Sequence, residues 1–495
     1  MIRPTLAEAQ ALASDYSVVP IALEIFADQK TPLQILQKLR QRSPHWFILE
    51  SVNGSDSWGR YTFLGYQPSQ TIFGQDHRVY RVDGGPEAAD SRLLQPEGDD
   101  ALTVIRRLLS GYQAPHLDYL PPFTGGLVGY FAYEFLSNFM PAVALASPNT
   151  LGFRDFQLML IDKLIAFDHF QQKIYLIVNL RSSELPAAYG AAVQELQSMQ
   201  ELILACDDQS LNEPAHCGEF TSSSDAAGFA DQVRQLQRYI VEGDIFQAVL
   251  STRFSAPFTG NLLNAYRALR TLNPSPYMVY MHLDDLEIAC SSPETLIALR
   301  NGEISSFPLA GSCPRGQTAA ADQALIAELL SDPKELAEHD MLVDLARNDV
   351  GRVSQFGSVQ VREYRQVKQY SHISHLSSHV TGQLQPGADA LAVLAATFPA
   401  GTLSGAPKQR ACQIIDSLEH QTRGVYGGAI GYIDFTGNMD MCIGIRLAVL
   451  KAGQVHVQAG AGIVADSQPE REYDEALNKA AVIMEALQNS GEVLR

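Results

Sequence analysis

The chain has little positive charge for its length of 495 residues. It carries 36 Lys and Arg against 55 Asp and Glu, which gives a formal net charge of −19. Nucleic-acid backbones are bound by clustered Lys and Arg, so this balance argues against a nucleic-acid partner. The protein as a whole would also repel an anionic substrate. A site for one would therefore need local positive charge from a metal ion or from inward-pointing Arg and Lys.

Cysteine motifs and long apolar runs are missing as well. The six cysteines include no Cys-x-x-Cys pair, which favours reduced thiols over a disulfide framework or a zinc ribbon. No apolar run reaches the roughly 18 residues of a membrane span, and the N-terminus lacks the basic and apolar segments of a signal peptide. Together with 46% hydrophobic residues, these absences predict a cytoplasmic globular protein without membrane association.

Composition along the chain predicts two regions and a linker. Residues 206–224 are rich in Asp, Ser, Asn and Pro and lack periodicity, which predicts a linker between residues 1–205 and a second domain at 225–495. Apolar runs predict strands, for example at 156–166 and 442–450. Many predicted strands are consecutive and joined by short turns, which favours antiparallel pairing. The expected fold class is therefore α+β.

Three helix starts are predicted where a capping side chain precedes Pro and an acidic residue. They begin at Ser292-Pro293-Glu294, at Asp332-Pro333 and at Ser467-Gln468-Pro469-Glu470. The capping side chain accepts hydrogen bonds from the unpaired amides of the first turn, and the acid suits the positive end of the helix dipole.

A glycine-containing run, Gly460-Ala461-Gly462, resembles the beginning of a dinucleotide-binding fingerprint. That fold needs a second strand ending in an acid about 20 residues on, whereas one predicted helix occupies most of the chain to Arg495. Length therefore argues against a nucleotide cofactor. Two interpretations remain open: backbone amides that approach a ligand carboxylate closely, or a plain tight turn between a strand and a helix.

Three histidines, His372, His375 and His379, suggest a zinc site at first inspection. Their neighbours predict a strand, however, and odd spacing in a strand sends His372 and His375 to opposite faces. A three-histidine metal site is therefore not expected.

Several blocks in the same order along the chain resemble the chorismate-utilising enzymes, and among them the large subunit, component I, of anthranilate synthase. The resemblance extends from about Glu50 to about Lys479. The blocks are Asn273–Met278, Pro308–Gly311, Glu338–Asp349, Pro399–Lys408, Asn438–Asp440, Gln458–Ser467 and Pro469–Tyr473. The resemblance implies the fold of that family, with largely antiparallel sheets packed as a sandwich and helices outside. It also implies a regulatory character for residues 1–205 and a chorismate-binding catalytic domain at 225–495.

The resemblance implies a magnesium site formed by Glu338 and Glu475. From helical spacing alone, acids such as Glu475, which shares a helix face with Glu472 and Lys479, are expected to be solvated. The family's two metal-binding carboxylates match Glu338 and Glu475. Magnesium prefers few protein carboxylates together with water and substrate oxygens.

The resemblance also implies the residues that act on chorismate. Glu294 matches the general acid that protonates the departing ring hydroxyl, His375 assists the elimination of pyruvate, and Thr402 lines the pocket. The residues that would hold chorismate are Gly311, Ser312, Tyr426, Arg446, Gly460, Ala461, Gly462 and Lys479. Ser312 and Cys313 stand where a Thr-Arg pair is usual in the family, so one local arginine contact is in doubt.

Two absent lysines distinguish between members of the family. Members that add water to chorismate carry a lysine base where this chain has Gln247, and aminodeoxychorismate synthases typically carry a nucleophilic lysine where it has Ala310. Both lysines are absent, as in anthranilate synthase. The expected reaction is that of a magnesium-dependent lyase, which converts chorismate and ammonia to anthranilate and pyruvate in tryptophan biosynthesis.

A partner subunit is expected from another missing motif. None of the six cysteines lies in the Gly-x-Cys-x-Gly-x-Gln elbow typical of glutamine amidotransferases, so ammonia from glutamine would come from a second subunit, component II. Two alternatives remain open. The chain could be aminodeoxychorismate synthase component I, or a catalytically silent regulator that binds chorismate or tryptophan.

Two segments more than two hundred residues apart resemble the family's feedback site for tryptophan. Taken alone, the first is a strand end and Pro274-Ser275-Pro276 in the second is a turn. Because both segments match, we expect tryptophan inhibition, with Glu50 and Ser51 meeting the ligand's ammonium group. The residues expected at this site are Leu49, Glu50, Ser51, Asn273, Pro276, Tyr277 and Met278.

Overall fold

The structure is a computed structural model. It describes residues 2–51, 59–84, 92–94, 99–205, 214–369 and 373–491. The predicted site residue Ser51 lies at the edge of a described segment, and His372 lies outside the described residues. Among the described residues, none of the helices combines the length and apolar composition that a membrane crossing requires.

The helices are α1 (Leu6–Leu12), α2 (Pro32–Arg42), α3 (Ala101–Ser110), α4 (Tyr189–Leu204), α5 (Ala226–Val241), α6 (Leu263–Leu272), α7 (Ala319–Leu329), α8 (Pro333–Gly351), α9 (Ala390–Thr397), α10 (Lys408–Glu419) and α11 (Pro469–Gln488). Short 3₁₀ turns lie at Tyr133–Asn138, Ser182–Glu184, Gly401–Leu403 and Asn489–Gly491.

The strands are β1 (Ile2–Arg3), β2 (Val18–Phe26), β3 (Trp46–Glu50), β4 (Tyr61–Tyr66), β5 (Gln70–Gln75), β6 (Arg78–Asp83), β7 (Arg92–Leu93), β8 (Gly126–Phe131), β9 (Phe156–Ile161), β10 (Lys163–Asp168), β11 (Lys173–Arg181), β12 (His216–Cys217), β13 (Thr221–Ser222), β14 (Gln247–Thr259), β15 (Tyr277–Leu283), β16 (Leu286–Ser292), β17 (Thr295–Arg300), β18 (Glu303–Ser306), β19 (Leu309–Pro314), β20 (Gln360–Gln369), β21 (Ile373–Gln383), β22 (Gly405–Ala406), β23 (Ala429–Asp434), β24 (Met439–Ile443), β25 (Leu447–Lys451) and β26 (Gln454–Ile463).

The described strands form two sheets. The first has the order β1-β2-β11-β10-β4-β3-β15-β16-β25-β26-β14-β12, with β13 and β22 also paired to β14. The second has the order β19-β21-β18-β17-β24-β23-β8-β9-β5-β6-β7, with β20 paired to β21. The ladders in both sheets are antiparallel, as the short connections predict.

The two sheets pack face to face and helices cover their outer faces. Phe47 and Val279 of the first sheet lie in one buried cluster with Met159 and Ile430 of the second. A second cluster joins the outer face of the first sheet to α2, α4, α6 and α11, and a third joins the outer face of the second sheet to α3, α8 and α9. The predicted α+β sandwich with helices outside is confirmed. Burial of apolar surface between these layers is the main source of its stability.

Both sheets contain strands from either side of the predicted linker. In the first sheet β3 pairs with β15, and in the second β8 pairs with β23. Of the linker, residues 206–213 lie outside the described part, and residues 216–222 contribute β12 and β13 beside β14. The division into 1–205 and 225–495 stays a prediction about segments of the chain. Hydrogen-bonded sheets are shared by the two segments.

The helix start predicted at Asp332 is confirmed, whereas the one at Ser292 is wrong. Asp332 accepts hydrogen bonds from the amides of Lys334 and Glu335, and Pro333 occupies the first turn of α8. Ser292 instead ends β16, and β17 begins at Thr295. Capping residues also suit turns between strands, so local sequence could not distinguish the two. Helix α11 begins at Pro469 as predicted, although the residue at its cap, Gln468, makes no side-chain capping bond.

Two apolar runs predicted as single strands are each two strands in different sheets. The run 156–166 divides at Asp162 into β9 and β10, and the run 442–450 divides at residues 444–446 into β24 and β25. Buried strands in both sheets have the same apolar composition, so composition does not show where the chain crosses between sheets. The second crossing brings Arg446 to the site described next.

Candidate active site

Glu294 lies in the connection between β16 and β17, where two other segments fix it. Its carbonyl oxygen accepts a hydrogen bond of 3.0 Å from the amide of Ile443 at the end of β24. Thr402, in the 3₁₀ turn Gly401–Leu403, donates a 2.9 Å hydrogen bond to Glu294 Oε1. Burial raises the pKa of Glu294 to about 7, although this hydrogen bond and the charge of Lys479 act to lower it. A carboxyl with this pKa carries a transferable proton near neutral pH.

His375 lies on β21 opposite Ser312 of β19. Burial lowers the pKa of His375, a hydrogen bond with the carbonyl of Gly311 raises it, and the charge of Arg446 lowers it again. The imidazole is therefore neutral at physiological pH. His379 lies on the same strand but stacks on Phe307, with ring centroids 4.4 Å apart.

The irregular pairing of β19 before Ser312 requires glycine. Gly311 has φ +79°, and a Cβ there would lie 3.0 Å from the side chain of Leu376. The following amide, that of Ser312, donates a 3.1 Å hydrogen bond to Glu335 Oε2. Burial raises the pKa of the neighbouring Cys313, so an uncharged thiol stands where the family usually has arginine.

Arg446 and Lys479 bring positive charge to the same place. Arg446, between β24 and β25, donates a 2.6 Å hydrogen bond to the carbonyl of Lys479. Its charge lowers the pKa of both His375 and Tyr426, so it lies near both side chains. Lys479 Nζ donates to the carbonyl of Gly460 at 3.1 Å. Burial raises the pKa of Tyr426 above its usual value, which keeps the hydroxyl protonated and able to donate.

The run Gly460-Ala461-Gly462 lies inside strand β26, so the tight turn considered from sequence is not present there. A Cβ on Gly460 would lie 2.3 Å from the carbonyl oxygen of Leu250, so glycine permits the close pairing with β14. A Cβ on Gly462 would meet nothing within 4 Å. The described ladder of β26 with β25 ends at Val457, whereas that with β14 continues to Ile463. Beside the glycines, β26 therefore has one edge without a described ladder.

Carboxylates from α8 and α11 come together next to Lys479. Burial raises the pKa of Glu338, and the charges of Glu335 and Glu475 raise it further. Burial also raises the pKa of Glu472, again with a contribution from Glu475. Glu475 Oε1 accepts a 2.7 Å hydrogen bond from Lys479. This excess of negative charge would be relieved by a bound cation.

The arrangement fits the magnesium site that the sequence predicts, in which only two protein carboxylates bind the ion. Within the part of the chain that the structure describes, no group of three or more His, Cys, Asp or Glu is placed to hold a metal ion. Glu338 and Glu475 are the two carboxylates that the resemblance implies as protein ligands. Magnesium commonly binds through one or two carboxylates and takes its other ligands from water and substrate.

A second cleft lies between the two sheets, and we call it the inhibitor cleft after the tryptophan site that the sequence predicts. Ser51 Oγ there is buried and has no hydrogen-bond partner among the described residues. Tyr277 donates a 3.0 Å hydrogen bond to Asp440 Oδ1, and its hydroxyl lies 2.9 Å from Thr295 Oγ1. The residues lining the inhibitor cleft are Leu49, Glu50, Ser51, Tyr61, Phe63, Pro122, Pro276, Tyr277, Met278, Val279, Arg300, Ile430, Gly431, Tyr432 and Asp440.

Two residues expected at the inhibitor cleft have hydrogen-bond partners on other elements. The Glu50 carboxylate accepts a 2.6 Å hydrogen bond from Tyr266 and lies 2.6 Å from Arg270 Nε, and both partners belong to α6 on the outer face of the first sheet. Asn273 ends α6, donates a 3.0 Å hydrogen bond to Ser291 Oγ and is not among the residues that line the cleft. Glu50 lines the cleft as well, so the expectation that it meets the ligand's ammonium stays a prediction.

Asp440 is a residue that sequence analysis did not assign. Burial raises its pKa to about 7, and Oδ2 has no hydrogen-bond partner in the described chain, with Arg300 Nη2 at 3.6 Å. A signal was present in the sequence, because an acid between Met439 and Met441 in a strand is unusual in a core. Tyr277 and Arg300 are the partners of this buried carboxylate among the described residues, and Asp440 also lines the inhibitor cleft.

Comparison with known proteins agrees with this geometry. The family model described as chorismate binding enzyme matches residues 69–485. The chain is 40% identical to anthranilate synthase component 1 of Acetivibrio thermocellus over 100% of both proteins. It is 42% identical to the component 1 of Aquifex aeolicus, over 98% of this chain and 97% of that protein.

A solved structure supports the same grouping. Anthranilate synthase component I from Streptococcus pneumoniae superposes with a TM-score of 0.74 at 34% identity, covering 93% of this chain and 98% of that one. The chain belongs to the chorismate-binding enzyme family. Within that family, the proteins that it matches over its full length carry the name anthranilate synthase component 1.

Proposed function

We propose that the chain is the synthase subunit of an anthranilate synthase, a lyase that converts chorismate and ammonia to anthranilate, pyruvate and water. The observation that carries the proposal is Glu294, a buried carboxyl with a pKa of about 7, held by Thr402 beside the positive charge of Lys479. A protonated acid next to a cationic pocket suits a dianionic substrate that must lose a hydroxyl group.

The residues of the site have two roles, substrate binding and proton transfer. Arg446 and Lys479 attract the substrate carboxylates, and the protonated hydroxyl of Tyr426 donates to one of them. Glu294 gives its proton to the departing ring hydroxyl after ammonia adds to the ring. His375 is neutral, so it can accept a proton during the elimination that forms the aromatic ring and releases pyruvate.

Magnesium is proposed as the cofactor, held by Glu338 and Glu475. It would supply charge neutralisation for the ring carboxylate of chorismate. Support comes from the mutual effect of these carboxylates, since the charge of Glu475 raises the pKa of Glu338.

At the two positions where other family members carry a lysine, this chain has residues that favour amination of chorismate with aromatisation of the ring. Gln247 begins β14, and its amide side chain cannot act as a base toward water. Ala310 on β19 offers only a methyl group, and its carbonyl accepts a 3.1 Å hydrogen bond from His339. Neither a water-adding enzyme nor an enzyme with a covalent lysine intermediate is supported by these side chains.

The ammonia source and the regulation are further parts of the proposal. The chain uses free ammonia, and a glutamine amidotransferase subunit supplies it from glutamine. Tryptophan inhibits by binding in the inhibitor cleft, where aromatic walls suit an indole ring and Asp440 and Ser51 suit the ammonium group. Tyr277 connects this cleft to Thr295, the neighbour of Glu294, which gives the ligand a route to the catalytic acid.

One assay tests the proposal. The purified chain is mixed with chorismate, Mg²⁺ and ammonium, and anthranilate fluorescence is followed with product identity checked by chromatography. We expect anthranilate with ammonium and none with glutamine until a component II subunit is added. Accumulation of aminodeoxychorismate would assign the chain to the alternative synthase. Absence of turnover with retained chorismate or tryptophan binding would indicate a silent regulator.

A further inference from the structure

A buried ion pair lies behind the active site, between the last residue of α10 and the loop that follows it. Arg423 and Glu419 form two parallel hydrogen bonds, Nε to Oε2 at 2.8 Å and Nη2 to Oε1 at 2.6 Å. Both side chains are 1% exposed. Neither residue is among those predicted to touch chorismate, magnesium or tryptophan.

Arg423 connects this pair to the turn that carries Thr402. Its Nη1 donates a 2.6 Å hydrogen bond to the carbonyl of Leu403, the residue after Thr402 in the same 3₁₀ turn. Its Nη2 donates at 2.7 Å to the carbonyl of Val249 in β14. The amide of Val249 in turn donates to the carbonyl of Ser404 at 2.8 Å. The turn is therefore fixed to β14 through a planar group that can satisfy several acceptors at once.

Glu419 connects the same pair to the glycine-containing strand. Its Oε1 accepts hydrogen bonds of 2.8 Å from both the amide and the hydroxyl of Ser251 in β14. Ser251 pairs with Gly460 of β26, whose carbonyl accepts from Lys479. The ion pair thus contacts two elements of the site without facing the substrate.

The energetics of such a pair favour an orienting role. Removing two charges from water costs several kcal/mol per ion, which the mutual attraction in a protein interior only partly repays, so a buried pair is weak evidence of stability. The pair fixes an orientation, because the guanidinium of Arg423 donates to the Glu419 carboxylate on α10 and to carbonyls of the Thr402 turn and of β14. A displacement of about 1 Å at a catalytic group can cost roughly 10²-fold in rate.

We propose that Arg423 and Glu419 are positioning residues, which hold the Thr402 turn so that the Thr402 hydroxyl meets Glu294. This inference rests on the proposed function for the role of Glu294. Arg423 acts on the reaction through Thr402, and Glu419 holds the guanidinium in the orientation that reaches Leu403.

The test compares Arg423→Lys, Thr402→Val and the double variant in the full-length protein. Lysine keeps the charge but cannot bond Glu419, Leu403 and Val249 in the same planar arrangement. We expect Arg423→Lys to lower kcat roughly 10- to 100-fold while the KM for chorismate changes less than about 3-fold. The double variant should be no slower than Thr402→Val alone, because both changes remove one interaction.

The pH profile gives a readout that simple destabilisation would not move. The Thr402 hydrogen bond lowers the pKa of Glu294, so its loss should move the alkaline limb of kcat/KM up by about one pH unit in both single variants. The other charged groups near Glu294 stay in place: Lys479 on α11, and Asp349, which lines the same cavity as Glu294 and pairs with Lys408 at 2.9 Å. Rate effects of Arg423→Lys and Thr402→Val that multiply in the double variant would overturn the proposal.

Arg253→Lys is the matched control. Arg253 is also buried and bonds Gln458 and Gln421 at 3.3 Å and the carbonyl of Thr422, and none of these hydrogen bonds reaches the Thr402 turn. We expect it to lower thermal stability and leave the alkaline limb unchanged; an equal shift would contradict the proposal. If Arg423→Lys does not fold, Glu419→Gln, which keeps the size of the side chain, should give the same upward shift, and an unshifted limb in that variant would overturn the proposal.

A measurement without substrate separates this inference from the proposed function. The carboxyl of Glu294 is titrated by infrared difference spectroscopy against Glu294→Gln, in chorismate-free wild type and in Arg423→Lys. The upward pKa shift is expected whether or not the chain makes anthranilate. An unchanged titration in Arg423→Lys would refute the positioning role, whereas an inactive wild type with a shifted titration would refute only the reaction.

Discussion

The active site and the inhibitor cleft differ in how they use charge. In the active site, Lys479 and Glu475 lie on α11, Arg446 lies between β24 and β25, and the acid Glu294 lies between β16 and β17, so charges of both signs are close together. The inhibitor cleft is lined mainly by aromatic and aliphatic side chains, and its charged residues are Glu50, Arg300 and Asp440. Dense mixed charge suits a dianion with a metal ion, whereas a largely apolar slot with few charged groups suits an amino acid with a large aromatic side chain.

A short connection joins these two sites. Tyr277 belongs to the inhibitor cleft, yet its hydroxyl lies 2.9 Å from Thr295 Oγ1, the residue next to Glu294. The strand β24 runs from Asp440 in the cleft to Ile443, whose amide bonds the carbonyl of Glu294. The comparison therefore predicts that changes in the active site abolish turnover, whereas changes in the inhibitor cleft alter regulation and leave turnover.

Removal of the metal should have the largest effect. We expect turnover to vanish in EDTA and to return with Mg²⁺, because the charges of Glu338 and Glu475 oppose each other without a cation. Glu338→Gln and Glu475→Gln should each lose turnover with the fold retained, as checked by circular dichroism. Glu335→Gln, on the same face of α8 near Glu338, is the control and should retain Mg²⁺-dependent turnover. Undiminished turnover in EDTA would refute the metal assignment.

Loss of the general acid should have the second-largest effect on turnover. Glu294→Gln keeps the shape of the side chain and removes its proton, so kcat should fall roughly 10²- to 10⁴-fold with little change in chorismate binding. The pKa of about 7 predicts that wild-type kcat/KM falls as pH rises through 7, since the acid must be protonated in the free enzyme. The variant should lack this limb. A variant within twofold of wild type would show that Glu294 is not the acid.

The sequence predicted which active-site residues lie together better than how the chain connects them. Family resemblance located Glu294, Thr402, Arg446 and Lys479, and the structure brings them together. Local pattern failed at Ser292-Pro293-Glu294, where capping residues suggested a helix in place of a strand connection. Pairing of distant strands, such as β3 with β15, depends on tertiary contacts that no local window contains.

The same limit applies to side-chain direction and to buried networks. Glu50 and Ser51 are adjacent in sequence and both line the inhibitor cleft, but the hydrogen bond of the Glu50 carboxylate to α6 could not be predicted from sequence. The sequence signal at Asp440 likewise did not show that its partner is Tyr277 of the other sheet. Arg423 likewise gives no sequence signal, since its acceptors lie on β14 and on the Thr402 turn.

Filling the inhibitor cleft should affect regulation alone. Ser51→Arg places a positive charge where we propose that the ligand's ammonium binds, so it should abolish tryptophan inhibition and leave uninhibited turnover near normal. Ser51→Ala is the graded control. It removes one hydrogen-bonding group and should weaken inhibition about 5-fold, the effect of roughly 1 kcal/mol. Inhibition curves measured against chorismate distinguish these outcomes. Wild-type turnover that ignores millimolar tryptophan would refute the regulatory proposal while leaving the catalytic one.

The smallest expected effect tests the connection between the two sites. Thr295→Val keeps the shape of the side chain but removes the hydroxyl that lies 2.9 Å from the Tyr277 hydroxyl. If an ammonium group at Asp440 displaces Tyr277, the displacement reaches Glu294 through Thr295. The variant should therefore still bind tryptophan, by calorimetry within about 3-fold of wild type, while inhibition weakens about 5-fold, as expected for one lost hydrogen bond.

Tyr277→Phe provides the second arm of this test, since it removes the hydroxyl shared by Asp440 and Thr295. Combined with Thr295→Val it should weaken inhibition no more than the stronger single variant, because both changes break one connection. Binding and inhibition are separate measurements here, which is what allows the connection itself to be tested. If inhibition declines only in proportion to binding in each variant, the hydroxyl pair carries no coupling, and the ligand must act on Glu294 by another route, such as β24.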